Sequence, residues 1–274
     1  MGYTGGNGFV LSATEIDFGY LGLGDSRNKT ITITNLNPHD IAITGASFDD
    51  SQFTTSQSFP LNMSYYSTAD IKFTFTPSAT GAQSGTLQLS SDNIPGDATY
   101  GEFALSGNAF DLSDGVVEVP GEVPTIQEAI DASSDGDTVL VAAGTYVENI
   151  EIDKEIAVIG ADRETTIIDG QNTETCIKLS NNGYSTVTIK DFTVRNGYSA
   201  ASWGTGPGGG IMVGYNYDLV SLHDLIIENC TAASDVYGGN GGGIYSTTSF
   251  LDILNVDINQ NTAEEQGGGI YAEN

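Results

Sequence analysis

The chain has 274 residues, enough for two domains that each bury a core. Its 36 Asp and Glu against 8 Lys and Arg leave a formal net charge of -28. That field repels nucleic acid and anionic lipid, which need clustered cations to displace counterions, and no apolar run is long enough to span a membrane.

The opening residues, MGYTGGNGFV, have neither the basic start nor the apolar stretch of an export signal. Either the protein is cytosolic or its signal has been removed. An abundance of Thr, Ser, Asn, Gly and Tyr with few Lys fits the secreted or cell-surface alternative, which is the reading adopted. From residue 9 to 110 the apolar positions alternate with period two, as strands with one buried face require. Ile31 and Ile33 point one way in KTITITN and the threonines the other; Ile71, Phe73 and Phe75, then Leu87 and Leu89, then Phe103 and Leu105, repeat the pattern. Turn formers such as NLNPHD and PSATG punctuate the runs. About seven short strands so spaced predict an antiparallel immunoglobulin-like sandwich. The segments IDFG, TITITN, IKFTFTPSATG, GTLQLSSDN and FALSGNA resemble the choice-of-anchor D and ASH-like immunoglobulin family. Domains of that family are spacers or adaptors, so the resemblance implies no catalysis.

The second domain is expected over residues 115–274. It opens with a helix: Pro124 suits a first helical turn, Ile126, Ala129 and Ile130 share a face, and SSDGD ends it. Afterwards the chain consists of short β-runs too closely spaced for helical crossovers. Written in register, IKDFTVRN, LHDLIIEN and ILNVDINQ align Ile189 with Leu222 and Ile253, Phe192 with Leu225 and Val256, and Val194 with Ile227 and Ile258. Glycine triplets begin at 208, 241 and 267, steps of 33 and 26 residues, which match one turn of a parallel β-helix with unequal loops. Each turn lies about 4.8 Å above the last, so like residues stack into columns. The stretch TIQEAIDA to DGDTVLVAAGTYVENI resembles the amino-terminal cap of the pectate-lyase-type right-handed β-helix superfamily. The INQNTA to GGGIY pattern is similar to repeats of polymorphic outer-membrane proteins and related adhesins, although the Asn of that element, present at Asn261, is replaced at Cys230 and Gly197. The fold class expected is therefore all-β: a sandwich over 9–110 and a right-handed parallel β-helix over 115–274, opened by a short capping helix. The helix is expected to be carboxy-terminally truncated, with an open edge that invites self-association.

Candidate chemistry is sparse. GTGPGG at 204–209 fits a dinucleotide motif, but a strand and not a helix follows it. GGNGGG at 238–243 begins like a calcium-binding repeat, yet Gly243 stands where that repeat needs Asp. Asp191 and Asp224 share a column, which would set two carboxylates about 5 Å apart. Such a pair can serve as turn residues that hydrogen-bond the local backbone, hold Ca²⁺, or act as a hydrolytic dyad. A lyase would also need a base, and Lys154, Arg163, Lys178, Lys190 and Arg195 show no recognisable acid-rich cluster. His39 and His223 have no Ser or Cys nucleophile nearby in sequence, and Cys176 and Cys230 read as two buried thiols. In GGGIY the Ile should point inward, so that Tyr245 and Tyr271 face out one above the other, with Tyr198, Trp203, Tyr215, Tyr217 and Tyr237 in the adjoining loops. Rings so placed stack on sugars or bury into a protein partner. The expected function is that of a non-enzymatic stalk or adhesin-like protein binding glycan or surface protein, without cofactor. The alternative is a polysaccharide lyase or glycoside hydrolase using Asp191, Asp224 and Arg195, with Ca²⁺ as the metal the pair would hold.

Overall fold

The computed structural model describes residues 9–92, 99–180, 186–201, 208–214, 218–234, 239–247 and 250–273. The chain divides into two compact units, Met1–Leu112 and Ser113–Asn274.

In the first unit the described residues form nine strands: β1 (Phe9–Leu11), β2 (Glu15–Gly22), β3 (Arg27–Asn35), β4 (Ile41–Phe48), β5 (Phe53–Thr55), β6 (Leu61–Met63), β7 (Thr68–Phe75), β8 (Gly81–Asp92) and β9 (Thr99–Phe110). They make two sheets, ordered β1-β3-β7-β5 and β2-β9-β8-β4-β6. The alternation read from sequence is the one that buries: Ile31, Ile33, Ile71, Phe73, Phe75, Leu87, Leu89, Phe103 and Leu105 all lie in the core. At its centre the rings of Phe53 and Phe75 stack with centroids 4.8 Å apart, and Phe18 tilts against both at 5.8 and 5.6 Å. Two features depart from the expectation of seven antiparallel strands. β5 and β6 are only three residues long, too short to show a period. β2 pairs parallel with β9, in a register that shifts between Asp17 and Tyr20, where Gly19 takes φ 72°. A bulge needing left-handed backbone is a place for glycine.

The second unit begins with β10 (Val116–Val119) and the helix α1 (Ile126–Ala132). Thr125, one residue beyond the expected Pro124, is the amino-terminal cap, its hydroxyl accepting the Glu128 N–H at 3.2 Å. Both helix ends meet side chains of opposite charge to their dipole. Glu148 accepts the N–H groups of Ile126 and Gln127 at 3.1 and 3.0 Å, and the Lys154 ammonium donates to the carbonyls of Ile130, Asp131 and Ser133 at 2.8 to 2.9 Å. Ile126, Ala129 and Ile130 are fully buried, as their shared face predicts.

Then come layers of three strands: β11 (Thr138–Val141), β12 (Gly144–Tyr146), β13 (Ile150–Ile152); β14 (Ala157–Gly160), β15 (Thr166–Asp169), β16 (Ile177–Leu179); β17 (Thr186–Arg195), β18 (Tyr198–Ala201), β19 (Ile211–Val213); β20 (Leu219–Glu228), β21 (Thr231–Ser234), β22 (Ile244–Ser246); β23 (Leu251–Asn259), β24 (Thr262–Ala263), β25 (Ile270–Ala272). Every pairing between layers is parallel, giving a coil of the parallel β-helix kind. One inward column runs Val117, Val139, Val158, Ile189, Leu222, Ile253, so Leu222 lies between Ile189 and Ile253. A second runs Ile150, Ile177, Ile211, Ile244, Ile270.

The corners have a backbone explanation. Asp191, Asp224 and Asn255 bend the first corner with φ of 64°, 51° and 55°, and Asn196, Asn229 and Gln260 the next with 55°, 55° and 54°. Asp and Asn tolerate this left-handed conformation better than other residues with a Cβ. Where the chain enters the third strand of the three upper layers, the glycine triplets press backbone on backbone: a Cβ on Gly210 or Gly243 would stand 2.6 Å from the carbonyl oxygen of the glycine one layer on.

Candidate functional site

The Asp191–Asp224 column forms at the first corner, but with company that sequence did not show. The Lys190 ammonium lies 3.3 Å from the Asp191 carboxylate and 3.7 Å from that of Asp224. Asn255 donates to Asp224 at 2.7 Å, His223 meets Asp252 at 2.9 Å, and Arg163 reaches up the coil to Asp257 at 3.1 Å. The Asn255 amide, aided by Lys190, holds the Asp224 carboxyl below its usual value. Lys190 and Arg163, for which the sequence shows no recognisable acid-rich cluster, thus lie among carboxylates. Coiling puts residues about thirty positions apart side by side, and the cations come from positions next to the aligned column rather than within it. Lys190 supplies this carboxylate pair with its positive charge. Among the described residues no group of three or more His, Cys, Asp or Glu side chains converges as a metal ion would require.

Arg195 belongs to the second corner. Its Nε donates to Asp169 at 2.9 Å, and Asn196 donates to the other oxygen at the same distance. Burial opposes ionisation of Asp169, but bonds from Asn196, the Gln171 N–H and Arg195 outweigh it and lower its pKa. The arrangement ties two layers together at a bend.

The outward side of the third sheet is the more open surface. Facing out from successive layers are Glu151, Lys178, Met212, Tyr245 and Tyr271. The two tyrosine rings stack with centroids 5.5 Å apart at 10°. Tyr245 is only 8% exposed, so Tyr271 offers the free ring face, its hydroxyl bonded to Glu273 at 3.2 Å. Lower on the same face is a groove of about 520 Å³, lined among others by Asn149, Glu151, Glu174, Lys178, Tyr198 and Met212. Lys178 pairs with Glu151 at 3.3 Å, and the Ser180 hydroxyl with Lys178 keeps the Glu151 carboxyl below its usual value. Of the aromatic residues singled out in the sequence, Tyr198 lines the groove and Tyr245 and Tyr271 stand above it. Trp203, Tyr215, Tyr217 and Tyr237 lie outside the described residues. Asn149, Glu151 and Glu174 were missed by sequence reasoning, which singled out Lys178 only as one of the coil's cations. They belong to lower layers that lack the glycine triplet, and only the ladder Glu151–Lys178–Met212–Tyr245 connects them to it.

Cys176 and Cys230 also meet. The Cys230 sulfur accepts the Gly197 N–H at 3.4 Å, while a Cβ on Gly197 would fall 2.9 Å from the Cys176 sulfur. Both thiols are fully buried, and the bond to Cys230 together with burial pushes the Cys176 thiol far up. The same bond lowers the pKa of the Cys230 thiol, so burial is what keeps both sulfurs from acting as nucleophiles.

The family model of ASH (Abnormal spindle-like microcephaly-associated, ASPM-SPD-2-Hydin) matches residues 9–96. Among solved structures the chain is similar to the ASH/PapD-like domain (PapD-like domain 7) of human CEP192, at 14% identity over 40% of this chain and 91% of that one, with a TM-score of 0.31. It is similar to the VesB protease of Vibrio cholerae, at 15% identity over 36% of this chain and 31% of that one, TM-score 0.30. A third likeness is to a Bacteroides ovatus GH5 xyloglucanase in complex with a XXXG heptasaccharide, at 8% identity over 66% of this chain and 45% of that one, TM-score 0.28. The chain thus spans less than half the length of these two enzymes. No curated protein matches the chain. Residues 9–96 are accordingly an ASH domain of immunoglobulin-like fold, followed by nearly all-β structure with parallel sheets.

Proposed function

We propose that the protein is a non-enzymatic, adhesin-like binder of the secreted or cell-surface kind, in which an ASH domain of the choice-of-anchor type precedes a pectate-lyase-type coil with repeats like those of polymorphic outer-membrane proteins. The coil takes glycan along the outward face of its third sheet. The observation that carries this reading is the groove of about 520 Å³ lined by Tyr198, on the sheet face whose upper layers carry the stacked Tyr245 and Tyr271. A concave site with an aromatic wall and a few convergent polar groups suits the alternating faces and hydroxyls of a sugar chain. The acids of the groove and a net charge of -28 favour a neutral or amine-bearing glycan over a uronate.

Calorimetric titration with neutral, amino and uronate oligosaccharides tests the reading. Binding of a non-acidic member is expected, weakened about fivefold by Tyr198→Ala or Tyr271→Ala, since one aromatic contact of this kind contributes about 1 kcal/mol. Asp191→Asn should leave binding unchanged. Release of unsaturated or reducing ends that Asp191→Asn abolishes would replace this reading with the lyase or hydrolase alternative.

A further inference from the structure

At one end of the sandwich, two loops are held together from within. Residues 36–40 follow β3 and residues 64–67 follow β6. Asn35, fully buried, donates its amide to the carbonyl oxygens of His39 and Ser64 at 3.0 Å and of Met63 at 3.4 Å. Its own side-chain oxygen accepts the Asn37 N–H at 2.9 Å and the Asn37 amide at 3.0 Å. Asp40 completes the link by accepting the Tyr65 N–H at 3.0 Å. The loops so fixed display apolar side chains instead of hiding them: Leu36 is 47% exposed, Tyr65 63% and Tyr66 64%. The two rings meet edge to face at 5.9 Å. Tyr66 has φ 54°, a conformation that bulky residues avoid. Rigid loops of Ser, Asn and Tyr are what protein-binding surfaces are made from, because an ordered tyrosine gives up little freedom when a partner covers it.

Beside the loop that carries the rings, where β4 pairs with the edge strand β6, is a hollow of about 220 Å³ lined by Asp40, Ile41, Ala42, Asn62, Met63 and Ser64. The hollow holds one charged group, the Asp40 carboxylate. One of its oxygens is bound to Tyr65, and the other has no partner among the described residues. A cation is the complementary occupant, in keeping with the charge of the whole chain, and the adjoining tyrosine faces favour a planar cation over a compact ammonium.

We propose that this end of the ASH domain docks a protein segment that presents an arginine, its guanidinium entering the hollow to Asp40 and its neighbours packing on Tyr65, Tyr66 and Leu36. The proposal does not depend on glycan binding by the coil, and failure of either leaves the other standing.

The test uses the full chain, isotopically labelled, titrated with three capped tripeptides, Gly-Arg-Gly, Gly-citrulline-Gly and Gly-Lys-Gly, and followed by amide chemical shifts. The arginine peptide is expected to give saturable shifts confined to residues 36–42 and 61–67, with the citrulline peptide about tenfold weaker or worse. Asp40→Asn keeps an oxygen for the Tyr65 N–H and should cost the arginine peptide about tenfold, and Tyr65→Ser about threefold. Equal response to citrulline overturns the proposal. So does the absence of saturation, or a lysine peptide that matches the arginine peptide with shifts spread over the acidic surface.

Discussion

The two units bury their cores in opposite ways. The sandwich closes once, around a few large rings: Phe18, Phe53 and Phe75 touch one another from three strands far apart in sequence, and each is almost wholly buried. The coil repeats one small packing unit, so Ile189 owes its burial mainly to Val158 below and Leu222 above. A core built on one irreplaceable cluster should fail as a whole. One built from nearest-neighbour layers should fail locally, by an amount set by position along the column.

The sharpest way to break that contrast is Phe75→Ala. Removing the ring that touches both other phenylalanines is expected to cost about 3–5 kcal/mol, and amide exchange should speed up across every strand of the sandwich together. Loss confined to β7 and its neighbours would mean that the sandwich is as modular as the coil. Within the coil, Leu222→Ala should cost about 2–4 kcal/mol with exchange rising chiefly in β17, β20 and β23, whereas Ile253→Ala, at a position already 37% exposed, should cost about 1 kcal/mol or less. Equal costs at the two positions would show that burial in the coil is not passed from layer to layer.

The same contrast explains what could be read from the sequence. Columns such as Ile189, Leu222 and Ile253 were legible because one strand repeats at nearly constant length and only its inward face must be apolar. The bends were legible in the Asp, Asp, Asn sequence of one column. Contacts between different parts of a turn were not. Cys176 precedes a third strand while Cys230 follows a second bend, so alignment of like positions never places them together; Gly197, having no side chain, lets the two sulfurs meet. The groove was missed for a related reason, because Glu151 and Lys178 lie in layers whose loops differ too much in length for the triplet to mark them. In the sandwich the alternation identified the core residues, but neither the three-residue strands nor the parallel pairing of β2 with β9 follows from a period of two. The hollow beside Asp40 depends on β6, one of those short strands.

A smaller effect concerns how the coil starts. α1 is short and owes its place to its buried face and to Lys154, whose ammonium bonds three carbonyls at the helix end. Lys154→Met keeps most of the stem and removes those bonds. It should cost about 1–2 kcal/mol, detected as faster exchange in α1 and β11 with the upper layers unchanged. A loss that spreads to β20 would make the cap a nucleus for the whole coil, and the picture of independent layers would need revision.

The smallest expected effect is also the most specific to the coil. Asp169 has a folded pKa below its unfolded value of about 3.8, since Asn196, the Gln171 N–H and Arg195 outweigh its burial. A group lowered in this way binds its proton more readily in the unfolded chain, so its contribution is complete above pH 3.8, and is lost as the pH falls through the folded value. Asp169→Asn should therefore lower the urea midpoint of the coil at pH 7 and by less at pH 3, with the difference shrinking further as acid is added. The sandwich midpoint should be the same in both proteins at either pH. If the difference between the proteins is instead constant with pH, the Asp169 carboxylate acts through its shape and neutral hydrogen bonds, and the charge of Arg195 adds nothing to the link between layers.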